Sequence, residues 1–467
     1  MAILHRSVGL FAAIALCACG SLPPGVKKAE RQFAKGDFGG AEKTAVLELK
    51  RYPKHPTLWR VRVQAAMGDR DNVRAAKLYE QWYGLREQRH DRGVLRVMAM
   101  TMMWQGLRVP SATVRTRTIQ AVERLELEDL ADDVSLLITN DDDRVAAAAA
   151  IAMLKADPSA GRVAADSLTS NNVQARIIAI RGVGRKVGAK TRADIVARFK
   201  DDNASVRMAA VTVVGNFASE KDTPRLMAMA VGDAEGSVRA TALRALRKGK
   251  RKGLLAAATT ALKDKYLGAR LAGVELLGHL GSGTRSQLKA LAGGADLFVA
   301  LRAITVLGTH AKHSDISKAT SKALTNTSWE IRVAAINTLS SAAYSKANRA
   351  SQAIALLTDK QVDVRIAAAR ALLDTQHRPA AISALAAALT DGNDSVRLQA
   401  ARNLVRAKDP RGIQTIAALL KSSSASTRAA AISAHVGART ITLALVRALA
   451  DESAELRIQA AEALLTI

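Results

Sequence analysis

Residues 364–373 read Val364-Arg365-Ile366-Ala367-Ala368-Ala369-Arg370-Ala371-Leu372-Leu373, an aliphatic residue and an arginine followed by small and apolar positions that return every helical turn. That spacing predicts a helix with one buried face. The opening pair recurs at Val206-Arg207, Val238-Arg239, Ile331-Arg332, Val396-Arg397 and Leu456-Arg457, and in weaker form at Val114-Arg115, Ala175-Arg176, Ala269-Arg270 and Thr427-Arg428. Val145-Ala146 and Val299-Ala300 keep the register and lose the arginine. Successive arginine positions lie 29 to 33 residues apart over twelve copies. Such a period holds two helices of about 12 residues and two short turns.

Six residues before the arginine position stands an aspartate or asparagine in many copies: Asn140, Asp201, Asp233, Asp264, Asn326, Asp359, Asp391 and Asp451. Each falls in the turn that precedes the second helix, where a short polar acceptor caps free amides and suits the positive end of the helix dipole. An arginine that returns in register, always with an acid nearby, is the pattern of an internal ladder between repeats. A binding site would instead use positions that differ from copy to copy.

From about residue 107 to the end this pattern resembles the HEAT repeat in its short bacterial, phycobilisome-lyase-like form. The resemblance implies that the aspartates and arginines pair along the stack. In the hairpin segment 26–106, residues 26–89 follow another period, 34, seen in Ala41 and Ala75 and in Ala45 and Tyr79, with Gly36-Asp37-Phe38 before the first unit and Pro53 closing it. These hairpins resemble the tetratricopeptide repeat, with Trp59 and Ala75 at its large and small packing positions, although Arg70-Asp71-Asn72 lacks the usual glycine. Trp59, Trp82, Trp104, Tyr79 and Tyr83 gather here, either as hairpin core or as a groove for a partner's peptide. The expected fold is therefore all-α: an α-solenoid of two-helix HEAT-like repeats, about twelve over 107–467, preceded by tetratricopeptide-like hairpins.

Composition agrees. The 467 residues are 49% hydrophobic but only 3% aromatic, as closely packed helices are. The net charge of +27 attracts polyanions of any kind, whether nucleic acid, lipid headgroups or acidic protein surfaces.

At the N-terminus His5 and Arg6 precede an apolar run from Val8 to Ala18 that is too short to span a bilayer and ends in Leu16-Cys17-Ala18-Cys19-Gly20. Leu16, Ala18 and Cys19 resemble the bacterial lipoprotein signal. The resemblance implies a signal peptide over 1–18, lipidation at Cys19, and a tether over 19–25, where Gly20-Ser21-Leu22-Pro23-Pro24-Gly25 has turn-forming composition. It also implies an outer-membrane lipoprotein facing the periplasm. Both cysteines of the chain lie in this segment, so the body has no thiol chemistry.

Non-repeating basic clusters are the candidate docking residues for an anionic surface. One is Arg244, Arg247, Lys248, Lys250, Arg251 and Lys252; the other holds Arg185, Lys186 and Lys190, flanked by Arg181 and Arg192. Both fall at helix ends and the turns after them, where basic residues also satisfy the dipole. Neither contains an aromatic side chain, which disfavours single-stranded nucleic acid.

Signs of catalysis, cofactor or metal are weak. Gly184 to Thr191 imitates a phosphate loop with the wrong spacing and after a helix. His310, His313 and Asp315 sit beside Lys312 and Lys318, which oppose a cation. A chromophore-attaching enzyme, as in the distant relatives with these short repeats, would need a bilin site that no residues announce. The expectation is a non-catalytic envelope scaffold without cofactor, bound to envelope proteins and, through its lipid, to the membrane. The competing reading is a polyanion-binding or nucleic-acid-binding solenoid inside the cell, which requires the lipoprotein signal to be false.

Overall fold

The computed structural model describes residues 23–217, 220–247 and 253–467. Cys19 and Lys248, Lys250, Arg251 and Lys252 lie outside the described residues. Among the described residues every regular element is helical, and none is long and apolar enough to cross a membrane. The chain is an all-α protein built from stacked two-helix repeats, and it divides into two compact units, Met1–Val145 with Asp409–Ile467, and Ala146–Lys408.

The second unit is a stack of helical hairpins. In most copies a shorter first helix, such as Thr223–Gly232, leads into a second helix, here Gly236–Leu246, which opens near the repeated arginine. Why the hairpins stack so evenly follows from two positions. Three residues after the arginine the side chain is small in every copy, as in Ala210, Ala242, Gly273, Ala303 and Ala368. These residues are buried. A Cβ on Gly273 would lie 3.0 Å from the Ala258 carbonyl oxygen and 3.0 Å from Ala261 Cβ, so this position sets how closely the two helices of one copy approach. Eight residues after the arginine stand Gly184, Gly215 and Gly278. A Cβ there would collide with Val213, Ala245 and Val306, each on the second helix of the next copy. The glycine that opened the false phosphate loop is thus a contact between neighbouring repeats, and Gly188, with φ +66°, turns the chain into the next helix.

The repeated arginines form the ladder expected from the sequence. Arg332, 5% exposed, donates through Nη1 to the Asn326 and Thr327 carbonyl oxygens of its own turn at 2.7 and 3.1 Å. Its Nε and Nη2 meet both carboxylate oxygens of Asp359, in the next copy, at 2.9 and 2.8 Å. Asp359 in turn accepts the Gln361 N–H at 2.8 Å, which fixes the turn. The same forked bond joins Arg207 to Asp233 and Arg239 to Asp264, and Arg176 reaches Asp201. Such charge-assisted bonds are short and directional, so they hold register as well as adding stability. Arg239 keeps Asp264 below its ordinary carboxylate range, chiefly by hydrogen bonding.

In the first unit helices α1 (Pro24–Ala34), α2 (Phe38–Leu49), α3 (Pro56–Gly68), α4 (Asn72–Leu85), α5 (Arg92–Gly106) and α6 (Ala112–Arg124) follow one another. Asp37 caps α2 and Asp71 caps α4 through the N–H groups of Gly40 and Arg74, at 2.8 and 2.9 Å. Before each cap the chain takes a positive φ, at Gly36 (78°) and at Arg70 (61°). Arg70 therefore does the work of the missing glycine. The aromatic residues left open between core and groove are mostly core: Trp59, Tyr79 and Trp82 are buried, and Trp59 stacks on Trp82 with ring centroids 6.0 Å apart.

The last two repeats pack into this same unit. Helix Ala454–Thr466 lies against α5 and α6, with Ile458 seated over Gly106 and Thr118, where a Cβ on Gly106 would strike it. Arg117 pairs with Glu455 at 2.6 Å, Arg124 with Glu462, and Arg447 with Glu80 on α4. A ladder rung recurs here between Arg428 and Asp451 at 2.7 Å.

His435 occupies a position that is apolar in most other copies and is fully buried. Its Nδ1 lies 2.9 Å from the Ala431 carbonyl oxygen and its Nε2 3.0 Å from Thr442 Oγ1. Burial holds its pKa below the ordinary histidine value. His90 is also held low, by burial and then by Arg92 and Arg86, against an opposing hydrogen bond with the Ile441 backbone. A depressed histidine pKa means that the folded state prefers the neutral ring, so this stability is present above about pH 6.5 and is lost as pH falls below it. The melting temperature is expected to drop between pH 7.5 and 5.5, and His435→Leu is expected to lose less over that window. Equal losses in both proteins would rule His435 out as a source of the acid sensitivity.

Candidate functional site: an arginine row on the second helices

Arg176, Arg207, Arg239, Arg270, Arg332 and Arg428 are taken up by acids of the next copy, and Arg365 and Arg397 bond groups of their own copy, so a site has to come from positions that do not repeat. Five residues after the ladder position the side chain differs from copy to copy. In the second unit these residues are, in order, Ile151, Arg181, Thr212, Arg244, Glu275, Thr305, Asn337, Arg370 and Arg402. Two pairs of neighbours in this row meet, Arg244 and Glu275 at 3.7 Å from adjacent copies and Arg370 donating to Asn337 Oδ1 from one copy to the next, while Ile151 is buried.

Two stretches of the row are concentrated in charge. Around Glu275 stand Arg244, Arg247 and Arg302, each 3.7 Å from the carboxylate and each 41 to 49% exposed, so that three guanidinium groups share one carboxylate. Further along, Arg370, Arg402 and Arg406 are exposed on helices Val362–Leu372 and Asp394–Arg406. Here the Arg370 guanidinium is held below its ordinary value, first by burial of its base among the helices and then by the like charge of Arg406. A cation whose neighbour is another cation gains from an added anion.

The residues singled out in sequence divide between this row and the scaffold. Arg244 and Arg181 lie in it, Arg247 stands beside it at the carboxylate of Glu275, and Arg185 is exposed one turn further along the helix of Arg181. Lys186 instead reaches back 3.0 Å to the Ala152 carbonyl oxygen in the preceding copy. Arg192 is tied to the Phe217 carbonyl at 2.8 Å and to the fully buried Asp222 at 3.4 Å. Lys190 is exposed in the turn that follows. Arg302, Arg370, Arg402 and Arg406 do not stand out in the sequence, because none belongs to an unbroken run of basic residues. Counting five residues from the ladder arginine, rather than looking for runs of charge, finds Arg370 and Arg402 but not Arg302 and Arg406.

Among the described residues no group of histidine, cysteine, aspartate and glutamate has the arrangement of a metal site. One small cavity, about 170 Å³, opens in the first unit between Arg92, Leu95, Arg96, Ile441, Leu464, Leu465 and Ile467.

The architecture defines a class, a repeat protein made of stacked helical hairpins joined by an arginine–aspartate ladder. The particular repeat is then given by comparison: the family profile described as HEAT repeats matches residues 162–247 and 350–436, and the chain carries HEAT repeats in both stretches. No curated protein matches the chain. Among solved structures, YibA from E. coli is 18% identical over 58% of this chain and 91% of its own, with a TM-score of 0.28. The CpcE–CpcF phycocyanin lyase complex from Nostoc sp. is 16% identical over 57% of this chain and 92% of the matched chain, with a TM-score of 0.30. The karyopherin Kap121p, bound to Pho4p, is 15% identical over 77% of this chain and 47% of its own, with a TM-score of 0.36.

Proposed function

We propose that this protein is a lipid-anchored scaffold of the bacterial cell envelope, held at the outer membrane and facing the periplasm, that binds partner proteins through its HEAT repeats and carries out no catalysis. The observation that carries the binding part is the split between arginines. Arg207, Arg239 and Arg332 in register are spent on ladder pairs with the next copy, whereas Arg244, Arg370 and Arg402 stand exposed five residues after the ladder position. Stacked hairpins offer such a row a long, regular backing and suit grip on another chain better than the convergent geometry catalysis needs. The caps and positive-φ residues 34 positions apart in α1–α4 support a tetratricopeptide-like reading of the N-terminal hairpins.

The anchor rests on the Leu16-Cys17-Ala18-Cys19 sequence. Cells fed a clickable fatty acid are expected to yield labelled protein in the outer-membrane fraction, and Cys19→Ala is expected to give unlabelled, unprocessed chain. An unlabelled, cytosolic wild type would remove the anchor and leave an intracellular polyanion binder as the reading. Photo-crosslinkers at positions 244 and 370 are expected to trap proteins from the envelope.

A further inference from the structure

The chemistry of the arginine row narrows the partner, and this step rests on the protein-binding reading just given. Three features define the surface. It carries guanidinium groups in two nests, one around Glu275 and one in which Arg406 stands close to Arg370. Between the nests the row is uncharged, with Thr305 and Asn337 at the equivalent positions. No aromatic side chain occupies the row.

Guanidinium groups pair best with carboxylate or phosphate. A nucleic-acid backbone carries a charge at every step, about one per 1.7 Å of duplex, and is matched by a dense basic track. A surface with a neutral interval and a carboxylate of its own inside one nest opposes such a polymer over much of its length. Without a stacking platform it also has nothing to offer unpaired bases. An acidic peptide differs, since its carboxylates can be clustered and spaced to fit. From the copy holding Glu275 to the copy holding Arg370 is three repeats, roughly 28 Å at about 9–10 Å per stacked helix. About eight residues of extended chain cover that distance.

We propose that the row on the second helices is the docking surface for an extended acidic segment of a partner protein, with two carboxylate clusters separated by about eight residues, one seated on Arg244, Arg247 and Arg302 and the other on Arg370 and Arg406. Glu275 holds the first nest ordered and competes with the ligand for it. Removing its charge therefore favours binding, an effect that a purely structural role for the three arginines does not produce.

The test uses the purified full chain and fluorescent peptides in which two tri-glutamate clusters are joined by a glycine–serine spacer of either eight or two residues. The eight-residue form is expected to bind more tightly, with affinity falling as salt rises. Arg370→Glu with Arg406→Glu is expected to weaken it at least about tenfold, in line with reversal of close charge pairs, and Glu275→Gln to strengthen it. Lys318→Glu with Lys322→Glu, on a first helix away from the row, is expected to leave it unchanged. Circular dichroism establishes that each variant is folded, and Glu275→Gln keeps the test sharp if a reversal variant is not. The proposal is overturned if row and control reversals have equal effects, if Glu275→Gln weakens binding, or if a 20-base-pair DNA duplex binds more tightly than the peptide. Envelope proteins still trapped at positions 244 and 370 in cells, with no acidic-peptide binding, would sink this inference alone. Loss of both would sink the protein-binding reading as well.

Discussion

Replacing Arg332 with alanine is expected to destabilise the second unit by about 3–5 kcal/mol, the cost of breaking a buried ion pair by removing one partner. The argument lies in what remains. Asp359 keeps its side chain 10% exposed, and burial alone would push its pKa up. Hydrogen bonds from Arg332 and the Gln361 N–H, with the charge of Arg332, outweigh that push and hold it below the ordinary value. Without Arg332 the carboxylate loses its main counter-charge, and the Asn326 and Thr327 carbonyls lose their donor as well. Urea unfolding followed by circular dichroism is the measurement. Lys322→Ala, on an exposed first-helix position, is expected to stay within about 0.5 kcal/mol of wild type. A loss at Arg332 no larger than that control would mean that the ladder decorates the stack without holding it. Because Asp264 and Asp359 are both depressed, their contribution is present above the ordinary carboxylate pKa and disappears as pH falls through the range below about 4. The Arg332→Ala deficit is expected to shrink there.

The second large effect is expected from Ile458→Glu. Ile458 is 2% exposed and sits where the last helix meets Gly106 and Thr118, so a carboxylate there is buried with no cation provided for it. A cost above about 4 kcal/mol is expected for an unpaired charge in such a contact. Limited proteolysis should then cut within residues 454–467 and α5 while leaving the second unit intact. Unchanged cleavage would show that this contact contributes little. The pair Gly106→Ala and Ile458→Val gives a gentler check: the valine lacks the Cδ1 that a Cβ on Gly106 would strike, so the double variant is expected to be more stable than Gly106→Ala alone.

Most of the repeat architecture was legible in the sequence, because a helix that must bury the same face in every copy repeats its pattern at a fixed period. Val364-Arg365 and its counterparts located the second helices, and Asp359 and its counterparts located the turns before them. The ladder partner of Arg332 was legible for the same reason. The contact of Ile458 with Gly106 was not, since it joins helices with different periods and no shared register, and a glycine in a helix has many causes. The arginine row was half legible. Arg244 and Arg247 stand in a visible run of charge, but Arg302, Arg370 and Arg406 are brought into line only when neighbouring helices are stacked.

The packing of helix Ala454–Thr466 on α5 and α6 also bears on how the molecule comes to be folded. Arg117 and Glu455 are 338 positions apart, as are Arg124 and Glu462. Stacked repeats ordinarily make contacts with near neighbours and fold quickly for that reason. The second unit has that character. The first unit does not, because the apolar side of α5 waits uncovered until the last copy has been synthesised. During that interval the growing chain has a sticky surface near its beginning and no partner for it. The slow step of refolding is therefore expected to be the closing of this contact, and a chain halted before residue 454 is expected to be the species that aggregates or that a chaperone must hold.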